Sequence, residues 1–323
     1  MALACYLKEV PKGHAHAQFS VGQLYVDGKE DSQNYSQAME WFILASEQDL
    51  TEADNAIADL LYHGHGVPQD HGAAKDLYLT CALQGFAPSQ RNLGNLYFKG
   101  HGVPQDYARA VDWYLKAADR GDVDAQVRVG DLYRDRLGVP QDYSKAMEWF
   151  LRAAGQGDLV ACRSIGALYD QGQGVYQNDE LAVEWYLKAA ERGDPNAQLL
   201  LGQLHGRPGD LQNHSKAMEW FVMTADQGFV LAYNAIDKVH YHGYGVPKDA
   251  TRSMHWYLKA ADQENQDAMG IHQDLTKSLE WYLKAANQGH PCAQFCVGEL
   301  YFQGDGIPQD YPVAIEWITK AAD

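Results

Sequence analysis

The sequence predicts an all-α solenoid of about nine stacked two-helix units, and three observations carry that prediction. The eight tryptophans, Trp41, Trp113, Trp149, Trp185, Trp220, Trp256, Trp281 and Trp317, fall on a beat of 36 residues, as from 113 to 149, 149 to 185, 220 to 256 and 281 to 317. The 72 residues between 41 and 113 are two beats with Leu77 at the midpoint, 185 to 220 is one residue short, and only the 25 residues from 256 to 281 break the rule. Seven residues before each of these nine positions stands Asp or Asn: Asn34, Asp70, Asp106, Asp142, Asn178, Asn213, Asp249, Asp274 and Asp310. Between the beats, apolar residues recur at helical spacing and stop at glycine.

Each unit then reads as two helices. A side-chain oxygen of Asp or Asn accepts from the free amides at a helix start, worth roughly 1 kcal/mol, so the Asp/Asn row marks the start of one helix, called B. Helix B carries small residues three before the tryptophan (Ala110, Ala146, Ala182) and after it (Ala117-Ala118, Ala189-Ala190). It ends near Gly121, Gly157, Gly193, Gly228 and Gly289, as helices that close on a left-handed glycine do. The other helix, A, shows Ala125, Val129, Leu132 and Tyr133 on one face, with Ala161, Ile165, Leu168 and Tyr169 in the next unit. It stops at Gly-x-Gly, as at Gly100–Gly102 and Gly172–Gly174, and Val-Pro leads on to the next helix B. One such pair is too small to bury a core. A buried Trp removes ~150–250 Å² from water, roughly 4–6 kcal/mol gross at ~25 cal/mol per Å². Ordering a whole unit costs far more, so the pairs must stack with nearest-neighbour stability. The tryptophans are therefore expected as the structural anchors that fill the space between neighbours.

Of the 323 residues, 46% are apolar and 21% charged, the profile of a folded soluble chain. A formal charge of −17 argues against nucleic acid and anionic membranes as partners. The five cysteines, Cys5, Cys81, Cys162, Cys292 and Cys296, are odd in number and irregularly spaced, which predicts a reducing, cytoplasmic setting and no disulfide framework. Residues 1–18 hold no apolar stretch of signal-peptide length, and no apolar run of ~18 residues predicts membrane insertion.

The search for chemistry returns no catalytic, cofactor or metal site. Of the thirteen histidines, the closest groupings are His63, His65 and His71, and His240 with His242; none follows a metalloprotease spacing, and all are read as exposed loop histidines. His65, His101 and Tyr244 share one slot of the repeat. Cys292 and Cys296, four apart on one helix, are half of a zinc site with no second half, and a core role is favoured. The Gly-x-Gly pairs follow a helix and precede a carboxylate-capped one, where a phosphate would be repelled; they are read as turns. The carboxylates before the tryptophans (Asp112, Glu148, Glu184, Glu280, Glu316) stand four residues from Lys116, Arg152, Lys188, Lys284 and Lys320, which predicts solvated ion pairs along helix B.

Binding is expected on the helix-A surface, the concave side of stacked helix pairs. Opposite its core face lie positions whose chemistry changes from unit to unit while the cap and tryptophan slots stay fixed: Asn55, Asp59, Arg91, Asn95, Val127, Arg128, Asp131, Arg163, Gln203 and Lys238. A peptide or partner helix is expected to lie along them.

The run Gly102-Val103-Pro104-Gln105-Asp106-Tyr107, Trp113-Tyr114-Leu115-Lys116-Ala117-Ala118 and Ala125-Gln126…Gly130-Asp131-Leu132-Tyr133 resembles the Sel-1-like repeat family, relatives of tetratricopeptide repeats, over nearly the whole chain. The resemblance implies a right-handed superhelix of antiparallel helix pairs and a scaffold or adaptor role, as in complex assembly, signalling or host–microbe contact. It implies no shared catalytic centre. A cysteine-rich branch of the family binds beta-lactams, but the paired cysteines of that branch are missing here, so a small-molecule-binding or hydrolytic activity is the alternative; a structural spacer is the third reading. The expected organisation is a partial leading repeat over residues 1–13, a solenoid of about seven repeats over 14–263, and a degenerate eighth repeat plus a ninth over 264–323. The eighth unit lacks 11 of its 36 residues, mostly helix A, which predicts a break or kink near 264–274. The chain opens partway through a helix B at Cys5-Tyr6-Leu7-Lys8 and closes on Ala321-Ala322 without a polar cap, so a longer natural chain or a capping partner is expected.

Overall fold

The structure, a computed structural model, describes residues 14–28, 33–208, 212–242, 244, 246, 283, 286–287, 289, 291–304 and 308–322. All regular structure among the described residues is α-helical. The chain divides into two compact units, residues 1–168 with 172–176, and residues 169–171 with 177–323. In the first lie α1 (Ala15–Val26), α2 (Tyr35–Ser46), α3 (Thr51–His63), α4 (His71–Leu83), α5 (Ala87–Lys99), α6 (Tyr107–Asp119), α7 (Val123–Asp135), α8 (Tyr143–Gly155) and most of α9 (Leu159–Gln171). The second holds α10 (Asp179–Ala190), α11 (Pro195–Gly206), α12 (His214–Asp226), α13 (Val230–His242), α14 (Pro291–Gln303) and α15 (Tyr311–Ala322). Helices adjacent in sequence pack on one another as A and B helices in turn, from α1 through α8 in the first unit and from α10 through α13, and α14 on α15, in the second. The expected break at 264–274 lies outside the described residues.

The caps fall where the Asp/Asn row places them. Amides of Gln37, Ala73, Arg109 and Lys145 donate to Asn34, Asp70, Asp106 and Asp142 at 2.9–3.1 Å. Asn178, Asn213 and Asp310 cap α10, α12 and α15 in the same way. Asp249 and Asp274 lie outside the described residues. A second row of caps, which the sequence reading passed over, starts the A helices: Asp122, Asp158 and Asp194 accept from Ala125, Ala161 and Ala197. The glutamine of each Pro-Gln-Asp run closes the A–B turn, since Gln69, Gln105, Gln141 and Gln309 donate to the carbonyls of Tyr62, Phe98, Arg134 and Phe302 at 2.7–2.9 Å. A glutamine of helix A, buried at Gln90, Gln126 and Gln198 and half-buried at Gln294, bonds a carbonyl left open at the end of the preceding helix B: Gln90 to Ala82, Gln126 to Ala118, Gln198 to Ala190 and Gln294 to Ala286.

Gly-x-Gly serves as a turn, and its second glycine joins neighbours. Gly138 has φ +73°, and a Cβ there would lie 2.5 Å from the backbone of Tyr107, the first residue of the preceding helix B. The first position tolerates more: Arg136 occupies it at φ 61°.

The tryptophan packs on the core but is not its deepest group. Trp41, Trp113, Trp185, Trp220 and Trp317 are half-buried, and Trp149 keeps 9% of its surface. The residue after the tryptophan, or after Leu77, is the core filler in six units: Phe42, Tyr78, Tyr114, Phe150, Tyr186 and Phe221 are all 5% exposed or less, while Ile318 after Trp317 is half-buried. Trp256 and Trp281 lie outside the described residues. The basic residue three positions on lies over the indole face instead of pairing with the carboxylate, as for Lys116 on Trp113 (4.0 Å), Arg152 on Trp149 (4.3 Å) and Lys188 on Trp185 (3.5 Å). Of the expected i,i+4 ion pairs, only Glu316–Lys320 closes among the described residues, at 2.7 Å. A cation over an indole face keeps its charge in water while covering apolar surface.

The core aromatic reaches that depth because helix A carries glycine beneath it. A Cβ on Gly22, Gly94, Gly130 or Gly202 would lie 2.4–2.6 Å from the ring of Phe42, Tyr114, Phe150 or Phe221 respectively. In residues 51–86 the slot holds Ala58, in one cluster with Tyr78, so a methyl group is accommodated where the pair is built around it. Gly130→Ala is therefore expected to destabilise the protein by about 1–3 kcal/mol through overpacking, although alanine is the better helix former by about 1 kcal/mol. Gly155→Ala, in α8 with open space around it, is expected to be neutral or stabilising by up to about 1 kcal/mol. Urea unfolding of both variants checks the pair, and equal effects would remove the glycine–ring contact as the cause.

Candidate functional site

On the helix-A side of the first unit, polar side chains link α3 to α5 and α5 to α7. This polar surface begins at α3, where Asp59 is surrounded by donors. Asn55 Nδ2 and Asn92 Nδ2 each lie 3.0 Å from it, and the Tyr78 hydroxyl donates to the same carboxylate. Ser89 donates to Asn55 Oδ1 at 2.8 Å. One beat on, the Tyr114 hydroxyl donates to Asn95 Oδ1 at 2.8 Å. The core aromatics thus reach the base of this surface through their hydroxyls; Phe42 and Phe150, in the same slot, bring none.

Between α5, α7 and α9 the surface deepens into a groove of about 370 Å³, lined by Arg91, Asn92, Asn95, Asp124, Val127, Arg128, Asp131, Asp158 and Val160. Arg91 spans α5 and α7 by pairing with Asp124, with Asp122 at 3.7 Å. Asp131 is held by Arg134 at 2.9 Å, while Arg128 stands 4.0 Å from it with over half of its side chain in solvent. Val127 is buried and Val160 is 39% exposed, so the groove has an apolar wall. Burial raises the carboxyl pKa values of Asp59, Asp122 and Asp131 above the ordinary value, against the lowering pull of their hydrogen bonds and of nearby arginines.

The expected partner-facing residues divide three ways. Asn55, Asp59, Arg91, Asn95, Val127, Arg128, Asp131 and Arg163 sit on consecutive A helices of the first unit, and the arginine of Arg163 acts on Asp131 through its charge. Gln203 is exposed on α11 of the second unit. The side chain of Lys238 lies outside the described residues. The groove residues that the sequence reading missed are Asn92, Asp124, Asp158 and Val160. Asp124 is three and four positions before Val127 and Arg128, hence on their face, and Val160 is its counterpart 36 residues on. Extending the variable row by one turn would have found both.

The histidines are less uniform than expected. His63 and His65 are exposed and stacked at 5.2 Å, but His71 and His101 are half-buried and stacked at 5.1 Å, with Tyr62 bonded to His101 at 2.8 Å. His240 is buried on α13, not exposed in a loop. The side chains of His242, Cys292 and Cys296 lie outside the described residues. No group of three or more His, Cys, Asp or Glu side chains placed to hold a metal ion occurs among the described residues. No helix among them is long and apolar enough to cross a membrane.

The Sel1 repeat family model matches the chain nine times, at residues 15–50, 51–86, 87–122, 123–158, 159–194, 195–229, 231–265, 267–290 and 293–323. Among solved structures, a Sel1 repeat protein from Oxalobacter formigenes is 33% identical, covering 75% of this chain and 96% of its own, with a TM-score of 0.66. A protective antigen present in uropathogenic Escherichia coli strains, displaying an SLR fold, is 31% identical over 99% of this chain and 79% of its own, with a TM-score of 0.55. A human IFIT1 dimer with m7Gppp-AAAA shares the fold at 14% identity and a TM-score of 0.54, over 99% of this chain and 75% of its own. A comparison with curated proteins gives no match.

Asp59 supplies a pH test of the site. The folded protein holds its carboxyl proton more tightly than the unfolded chain does, so this residue's stabilising share is present in acid and lost as pH rises through the folded value. Asp59→Asn fixes the side chain in the uncharged state while keeping an acceptor for Tyr78 and Asn92. The melting temperature of the variant minus that of the parent is expected to increase from pH 3.5 to pH 7.5, and a difference that shrinks over this range would contradict the assignment.

Proposed function

We propose that this chain, which belongs to the Sel1 repeat family, is a protein-binding scaffold that holds its partner along the helix-A groove of the first unit. Repeats of this class generally mediate contacts between proteins. The observation that carries the finer reading is the contrast between frame and groove. Caps, turn glutamines and core aromatics recur with the 36-residue beat, whereas the groove positions carry asparagine, arginine, aspartate and valine in turn. A surface kept only for solubility has no need of an apolar wall facing a half-free arginine; a recognition surface uses both. Arg128 and Val160 are the accessible pair. The adaptor or signalling role and the cytoplasmic setting belong to the same proposal. The latter is supported by Cys81, a thiol buried in the stack, and by the odd number and irregular spacing of the five cysteines.

The test is affinity capture from a lysate of the source cells, read by mass spectrometry. Arg128→Glu with Val160→Glu is expected to lose the captured proteins, while Leu151→Glu, at an exposed leucine of α8 away from the groove lining, retains them. Helicity by circular dichroism should match the parent in both. The same captured set on the groove variant would overturn the assignment of the surface.

A further inference from the structure

The hydrogen bonds beneath the groove fix the direction in which two of its amides face, and this identifies the chemistry of what binds there; the inference rests on the groove reading above. Asn92 and Asn95 both line the groove from α5, three residues apart and so on one face. An asparagine amide offers an acceptor oxygen and a donor nitrogen, and which of them faces outward depends on what the other end meets. Asn92 meets the Asp59 carboxylate and Asn55 Oδ1, at 3.0 and 3.4 Å, both acceptors. Its nitrogen must therefore point down and its oxygen outward. Asn95 meets the Tyr114 hydroxyl, which donates to Asn95 Oδ1 at 2.8 Å. Its oxygen is taken and its nitrogen faces the groove. Neither outward atom has a hydrogen-bond partner among the described residues. One turn of helix thus presents an acceptor and a donor side by side.

We propose that Asn92 Oδ1 and Asn95 Nδ2 take the N–H and C=O of one residue in the main chain of an extended peptide. An extended residue shows both groups on the same edge, as it does to a neighbouring strand, and main-chain pairing of this kind supplies affinity while side-chain contacts supply specificity. The side chains follow from the rest of the lining. Asp124 is paired with Arg91 and Asp131 with Arg134, which leaves Arg128 as the exposed cation whose nearest carboxylate stands 4.0 Å away. An acidic residue of the peptide belongs against Arg128, and an apolar one against Val127 and Val160.

The experiment selects binders from a phage-displayed library of random twelve-residue peptides on the intact protein, then measures the strongest as synthetic peptides by fluorescence anisotropy. Asn95→Asp keeps the acceptor for Tyr114 but replaces the outward donor with an acceptor. It is expected to weaken binding about tenfold or more, the scale of one buried hydrogen bond turned repulsive, at an unchanged melting temperature. N-methylation of the peptide backbone is expected to cost a similar factor at one position only. Replacing the peptide's acidic residue by its amide should weaken binding to the parent but not to Arg128→Gln. Peptides that lose binding with Arg128→Glu and Val160→Glu yet ignore Asn95→Asp would overturn the amide pairing and leave the groove reading intact. Sensitivity that disappears when an Asn or Gln side chain of the peptide is removed would also overturn it, in favour of a side-chain amide. Binders indifferent to every groove variant, or a library with no enriched sequence, would count against both.

Discussion

A ring from helix B lies directly on the backbone of helix A, and the rest of the molecule is arranged around that contact. At Gly22, Gly94, Gly130 and Gly202 no side chain separates the two, and a methyl group would enter the ring. Such a fit is available only if both helices start in register. Register is set by the side-chain caps at their N-termini and by the turn glutamines that tie the start of helix B to the end of helix A. Because glycine weakens a helix by itself, the close approach has to be stabilised by what surrounds it, namely the buried alanines of helix B and the apolar residues of the next helix A, as in the cluster of Tyr114, Ala117, Ala118, Ala125, Val129 and Leu132. This is how a unit too small for its own core shares one with its neighbour.

The same contact shapes the groove. At Tyr78 and Tyr114 the hydroxyl passes beyond the alanine or glycine and emerges under the helix-A surface at a polar residue, Asp59 and Asn95 respectively, whereas Tyr186 reaches Asp170 at 3.4 Å and the equivalent position is Ala167. Phe150 brings no hydroxyl, and Asp131 is held instead by Arg134. A substitution between tyrosine and phenylalanine in the core is thereby coupled to the hydrogen-bonding character of the outer surface. Frame and reading surface are not independent layers, although they look so when the repeat is read as a linear pattern.

The linear pattern was nonetheless informative where the interaction is local. Caps act within three residues, turn glutamines within seven, and the stop glycines within one helix end; each leaves a fixed signature that 36-residue repetition makes legible. The helix-A row was legible for a similar reason, since helical spacing alone places Arg91, Asn95, Arg128 and Asp131 on one side. Depth in the core does not follow side-chain size. Tryptophan is the largest side chain on the beat, but its neighbour in sequence points into the interior, and the indole covers the edge of the stack beneath a lysine or arginine. The histidines misled in the opposite sense: loop positions suggested exposure, but ring stacking half-buries His71 and His101, and His240 is not in a loop.

By itself the sequence determined the helical class, the number and beat of the units, the start of each helix B among the described residues and the family, because all of these depend on contacts between residues close in the chain and repeated many times. Only the tertiary structure decided which aromatic fills the core, which carboxylates are buried deeply enough for their pKa values to rise, and which end of Asn92 and of Asn95 faces outward. These depend on atoms about nineteen to thirty-seven residues apart, on helices whose separation is set by a missing methyl group. A pattern of residue types fixes which side of a helix a side chain leaves from, but not the distance to what it meets.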